Sequence, residues 1–247
     1  DDGDDDAKDD INKNSEEEET PRMDPAFFYD SDGQSAAVSA GEMHASTLSL
    51  HHSFGFDAHK FDNLHVLDED TVCFVSGAYV VLLNLKTREQ RYVRSASGNA
   101  VAAVTVHPSR AFVAVADMGR NAVITVYSYP DLRRYRVLRD GALAGFAHLC
   151  FDKTGDKLAS VATAPDYRLT VWDWRNEGIV LRTKAFSSDV WRVTFSSFNP
   201  GQLTTSGQGH IRFWKMANTF TGLKLQGQIG KFGRTELSDV AGYVEFP

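Results

Sequence analysis

Up to about Met43 the chain shows no hydrophobic period, and from Leu48 the run LSLHHSF alternates weakly before breaking at Gly55. Beyond that point the apolar residues gather into short runs of one recurring shape: VVLLNL, ITVYSY, LTVWDW and IRFWKM. Aligning them superimposes Leu83, Tyr127, Trp172 and Trp214, with spacings of 44, 45 and 42 residues. Each run is preceded and followed by further short apolar stretches. In the second unit these are VAAVTV, FVAVA and RYRVLR, and in the third AHLCF, KLASVA and GIVLR. Turn residues at Pro108, Gly155 and Asn199-Pro200-Gly201 fall where antiparallel strands must reverse. The pattern predicts an all-β chain of short strands.

Four strands in a repeat of about 40–45 residues are the arithmetic of a WD40 propeller blade. The second strand of each unit is almost wholly apolar or small, as expected for a strand buried on both faces between neighbouring blades. The fourth is more polar, which predicts an outer edge protected by charge. The Trp-Asp dipeptide occurs once, as Trp172-Asp173, and no unit carries the usual Gly-His ahead of its first strand. Ser206 with Trp214, and Asp166 in the turn of another blade, are candidates for parts of the buried hydrogen-bond network that a blade normally holds. Ring packing is expected to carry more of the stability. Four units fit between about Asp62 and Lys231, and DVAGYVEFP reads as the first strand of a fifth. The predicted organisation is a low-complexity disordered arm over residues 1–45 and an incomplete propeller over residues 46–247, continuing beyond the C-terminus.

The charge of −7 is unevenly placed along the 247 residues. Residues 1–20 hold eleven acids and two lysines, a net of −9, which leaves +2 for the rest. Such an arm cannot bury enough apolar surface to offset the entropy of ordering it. Hydrophobic residues make up 42% of the chain, which excludes a disordered protein and a collagen. No apolar run reaches the length of a membrane helix, and the acidic start is unlike a secretory leader. Cys73 and Cys150 lie too far apart for a metal-binding pair, and a disulfide framework is not expected.

No catalytic, cofactor or metal motif emerges. His51, His52 and His59 lack zinc spacing, since adjacent strand residues point to opposite faces. GQIGKFGRT differs from a phosphate loop because Phe232 follows Lys231, so a long inter-blade loop is expected there. The sharpest feature is DLRRYRVLR, which sets Arg133, Arg134, Arg136 and Arg139 around Tyr135. It reads either as a patch for an acidic partner, a role extended to Lys224, Lys231 and Arg234, or as a charged edge strand. A body charge of only +2 argues against nucleic acid as a partner.

Several stretches (PDYRLTVWDW, VLRTKAFSSDVWRVTF, VAAVTVHPSRAFVAVAD, VVLLNLKTREQRYVRS and above all GHIRFW and TFTGLKLQG) resemble the cilia- and flagella-associated protein 44 family. The resemblance covers Leu48 to Pro247 and leaves the acidic arm out. It implies a non-catalytic axonemal scaffold with WD40 propellers and a coiled coil beyond this stretch. It also implies a place in the tether/tether-head complex of inner-arm dynein f/I1. Implied partners are cilia- and flagella-associated protein 43, the dynein heavy chains and tubulin of the doublet microtubule. An alternative rests on SFGFD and NLHVLDEDTVCFVSG, which are similar to microtubule-binding propellers of the echinoderm-microtubule-associated-like class.

Overall fold

The computed structural model describes residues 21–30, 50–219, 222–230 and 239–245. Sixteen strands form four antiparallel sheets, each paired in sequence order. Blade 1 holds β1 (Leu64–Val66), β2 (Thr71–Ser76), β3 (Tyr79–Asn84) and β4 (Gln90–Arg94). Blade 2 holds β5 (Val101–Val106), β6 (Phe112–Asp117), β7 (Ile124–Ser128) and β8 (Arg134–Leu138). Blade 3 holds β9 (Phe146–Phe151), β10 (Leu158–Ala162), β11 (Arg168–Asp173) and β12 (Gly178–Lys184), with a 3₁₀ turn at Trp174–Asn176. Blade 4 holds β13 (Val190–Phe195), β14 (Gln202–Gly207), β15 (His210–Thr219) and β16 (Gly222–Ile229). This is a partial WD40-type propeller.

The blades stack face to face because each second strand sends alternate side chains to opposite neighbours. From β6, Val113 and Val115 pack with Val75, Val80 and Leu82 of blade 1. The intervening Ala114 and Ala116 pack with Phe146, Leu158 and Trp172 of blade 3. From β10, Leu158 and Ala162 face blade 2, whereas Ala159 and Val161 join Val193, Leu203 and Trp214 of blade 4. The expectation of burial on both faces holds for these strands. In β2 it does not: Thr71, Cys73 and Val75 are buried while Val72, Phe74 and Ser76 are half-buried. Among the described residues no second blade packs on that sheet; its other face meets only the segment before β1, with the Phe56 ring 5.6 Å from that of Phe74, and Leu64 and Val66 of β1 remain 59% and 53% exposed.

Leu83, Tyr127, Trp172 and Trp214 hold one register position, opposite Val72, Val113, Leu158 and Leu203 of their second strands. Trp172, Trp214 and Tyr127 are buried, and each packs back against the preceding blade. Leu83 and Asp173 are half-buried. The Trp172 indole donates to Ser160 Oγ at 2.9 Å, and the Trp214 indole to Thr205 Oγ1 at 2.9 Å. Thr205, not Ser206, is therefore the second-strand member. It stands two residues past Leu203, as Ser160 stands two past Leu158, and strand alternation turns Ser206 to the other face. Asp166 sits in the β10–β11 turn, but its buried carboxylate finds only Arg168 Nε, at 3.6 Å. Gly141 runs so close to the Trp172 ring that a Cβ there would lie 2.5 Å from it.

Trp174, which the repeat does not single out, is as deeply buried as Trp172. Its indole donates to the Gly155 carbonyl at 2.8 Å, and Phe112, Phe151, His107 and Tyr135 surround it edge-on. On the inner side, Asp62 precedes β1 and reaches His148 Nε2 of blade 3 at 2.9 Å and the Arg192 guanidinium of blade 4. Burial of the receptor strands and these polar ties set the blades in place. Asp239–Glu245 runs beside blade 4, with one bridge from Asp239 to Gln208 and Tyr243 edge-on to Phe213.

Candidate interaction surface

The arginine-rich segment is not the solvated outer edge that its composition predicts. Tyr135, Arg136, Val137 and Leu138 of β8 are all buried, and Arg136 has no exposed surface. The cover is the segment Pro21–Asp30, which lies within the span read as disordered arm. It runs along the outer edge of blade 2, with the Tyr29 amide donating to the Arg134 carbonyl at 2.9 Å.

Arg136 joins three parts of the chain. Its Nη1 donates to the carbonyls of Phe27 (2.9 Å) and Tyr135 (2.7 Å), Nη2 to Asp24 (2.8 Å) and Nε to Arg175 of blade 3 (2.6 Å). The guanidinium also lies 3.8 Å from the centroid of its neighbour's ring, Tyr135. A buried charge is costly unless its donors are satisfied, and the planar fork of five N–H groups can meet carbonyls on several sides. This explains how a charged side chain occupies a seam that sequence composition assigns to solvent. Arg136 is thus withdrawn from any partner.

Glu177, at the end of the 3₁₀ turn, completes the clasp. Its carboxylate accepts from the Tyr29 hydroxyl at 2.8 and 2.9 Å and from the Val137 amide at 2.7 Å, and Arg139 lies 3.7 Å away. Burial and the hydrogen bond to Glu177 raise the Tyr29 pKa above the usual phenol value. The Met23 amide donates to Asn176 Oδ1 at 3.0 Å, so the segment bridges blades 2 and 3.

The remaining candidates separate. Arg133 is exposed and lies 4.1 Å over the Phe28 ring, Arg134 is half-buried, and Arg139 is exposed. Lys224 is exposed on β16 of blade 4, away from this strand, and Lys231 and Arg234 lie outside the described residues. Arg133 and Arg134 instead share a cavity of about 440 Å³ with Arg94 of blade 1, bordered by Tyr92, Asp30 and Asp131. Arg94 was legible in principle, since RYVR of blade 1 and RYRV of blade 2 are both arginine-bearing fourth strands. Among the described residues, no group of three or more His, Cys, Asp or Glu side chains is placed to hold a metal ion.

No family model matches the chain. It is 52% identical over 200 residues to cilia- and flagella-associated protein 44 of Mus musculus, covering 81% of this chain and 11% of that protein. The protein of the same name from Chlamydomonas reinhardtii is 53% identical over 210 residues, covering 82% and 12%. Cilia- and flagella-associated protein 43 of Mus musculus is 30% identical over 169 residues, covering 68% and 10%. The chain therefore spans about one tenth of the length of the curated relatives it matches. These relatives are named for their association with cilia and flagella, not for a reaction.

Proposed function

We propose, on the premise that this chain belongs to the cilia- and flagella-associated protein 44 family and so to the cilium or flagellum, that its propeller is a non-catalytic docking platform of the axoneme. In this reading it holds an inner-arm dynein of the f/I1 type to the doublet microtubule, within a tether/tether-head assembly. Its neighbour there is cilia- and flagella-associated protein 43, a relative of this same chain. The anchored motor head would be restrained during its power stroke, which regulates motility.

The observation that carries a docking role is the division of labour among polar side chains. Four side chains at the seams are engaged in structural bonds: Trp172 with Ser160, Trp214 with Thr205, Asp62 with His148, and Arg136 with carbonyls. Those at the rim, such as Arg94 and Arg133, are exposed and have no carboxylate within ion-pair distance among the described residues. A body whose periphery carries exposed charges outside any ion pair suits assembly.

Cross-linking of intact axonemes, followed by mapping of the linked peptides, tests this. Links from these blades to a dynein heavy chain are expected. Links to tubulin alone would overturn the tether reading in favour of a microtubule-binding propeller.

A further inference from the structure

The outer edges of blades 1 and 2 are treated differently. On β8 the edge is occupied: the Arg134 carbonyl accepts from Tyr29, and the Val137 amide donates to Glu177. On β4 it is open. Ser95 donates to the Ala78 carbonyl and Asn84 to the Glu89 carbonyl, in register with the pairs Val80–Val93 and Leu82–Arg91. Residues 89, 91, 93 and 95 therefore bond inward to β3. By antiparallel alternation the main-chain groups of Gln90, Tyr92 and Arg94 point outward, where they meet no partner among the described residues.

This open edge forms one wall of the cavity shared by Arg94, Arg133 and Arg134. Arg91 stands next to it on β4, donating to the Pro130 carbonyl at 2.8 Å. Four arginines thus flank the edge, against the three acids Asp30, Asp131 and Glu89. None of the four has a carboxylate within 4 Å among the described residues. Edge strands normally carry a device against uncontrolled pairing, and here the device is positive charge. Positive charge repels a basic strand and attracts an acidic one.

We infer that the β4 edge is a docking site for an extended acidic peptide of a partner protein, which adds as a fifth strand to blade 1. Its main chain pairs with Gln90, Tyr92 and Arg94, and its alternate carboxylates meet Arg94, Arg133 and Arg134. Strand addition of this kind takes affinity from main-chain bonds and specificity from every second side chain. Pro21–Asp30 shows that the neighbouring edge already receives a segment of chain, through one main-chain bond from Tyr29 and the Arg136 side chain. The inference deepens the docking-platform reading and rests on it.

The test is fluorescence anisotropy of the full chain, kept monodisperse by Leu64→Lys with Val66→Lys, with a labelled Glu-Val repeat peptide of about ten residues, a strand's length. Controls are a Lys-Val repeat and a Glu-Val repeat N-methylated at alternate residues, which cannot donate on one edge. Binding of the Glu-Val peptide alone is expected, weakened at least tenfold by Arg94→Glu with Arg133→Glu, and weakened on raising salt from about 50 to about 500 mM. Both arginines are exposed, and an unchanged circular dichroism spectrum confirms that the variant folds. Absence of binding, equal binding by the variant, or equal binding of the N-methylated peptide each overturns the proposal. The dynein cross-links test the platform reading separately, since they do not depend on this peptide.

Discussion

Trp172 donates its indole N–H to Ser160 Oγ over 2.9 Å, with both side chains fully buried. The ring faces blade 2 while the bond stays within blade 3, so one residue joins the packing between blades to the register within a blade. Trp172→Ala is expected to cost about 3–5 kcal/mol, as for other large-to-small core changes. Ser160→Ala is expected to cost about 1–3 kcal/mol, because it leaves a buried donor unmade. Urea unfolding of both single variants and the double variant measures the pair. Strict additivity would show that the hydrogen bond contributes nothing.

Arg136 carries a second prediction. Replacing it with Met removes the donors that hold the Asp24 and Phe27 carbonyls, while leaving the apolar contacts of the seam. Each bond from a charged donor is worth about 1.5–3 kcal/mol, so the clasp should open at least tenfold more often. Limited chymotrypsin digestion at Phe27 and Phe28 reads this directly. Cleavage at the parent rate would mean that the aromatic contacts alone hold the segment.

Asp62 predicts a dependence on acidity. The hydrogen bond from His148, with help from the Arg192 guanidinium, holds its carboxyl well below the usual carboxylate range despite partial burial. A depressed folded-state pKa means that the unfolded chain takes up a proton first, so stability rises with pH in this window. The contribution is fully present above about pH 4, the unfolded value, and is lost as pH falls below it. Asp62 is 40% exposed, so solvent screening keeps the effect modest. Asp62→Asn should flatten the acid limb of a plot of urea midpoint against pH. The same slope in both proteins would count against the cross-blade tie.

Cys73 is fully buried between blades 1 and 2, and burial pushes its thiol up to about 12. It should resist a thiol-specific disulfide reagent at about pH 8 in the native chain and react at once in urea. Rapid native labelling at Cys73 would show that the seam opens on its own.

The face of blade 1 that no second blade covers among the described residues predicts self-association. Leu64 and Val66 are exposed there, and so is Phe56, which packs on Phe74. This chain expressed alone should sediment as aggregates, and Leu64→Lys with Val66→Lys should reduce them. A monodisperse parent that melts cooperatively would refute the prediction.

Most strands of blades 2 to 4 were legible because alternation, turn residues and a recurring apolar run are local properties of the chain. β16 was not, its last residues Gly227–Ile229 lying in the GQIGKFGRT stretch expected to be a loop. Leu83, Tyr127, Trp172 and Trp214 emerged at one structural position from spacing alone. What the repeat could not separate was neighbours within a strand. Thr205 and Ser206 have equal chemistry for an indole partner, and only the register of β14 against β15 decides between them. Trp174 closes the repeated run, level with Leu85, Tyr129 and Met216, but was not singled out, and the chain there leaves the strand for an irregular turn.

By itself, then, the sequence determined the fold class, the four blades seen among the described residues and the family, since all three are written in a recurring local pattern. The tertiary structure decided which arginines face solvent. Arg136 and Arg133 are three residues apart in one basic run, yet one is sealed and the other free. The difference comes from carbonyls at Asp24 and Phe27, more than a hundred residues away, and from Arg175 in the next blade. Burial of a charge depends on the partners assembled around it, and no local pattern encodes those.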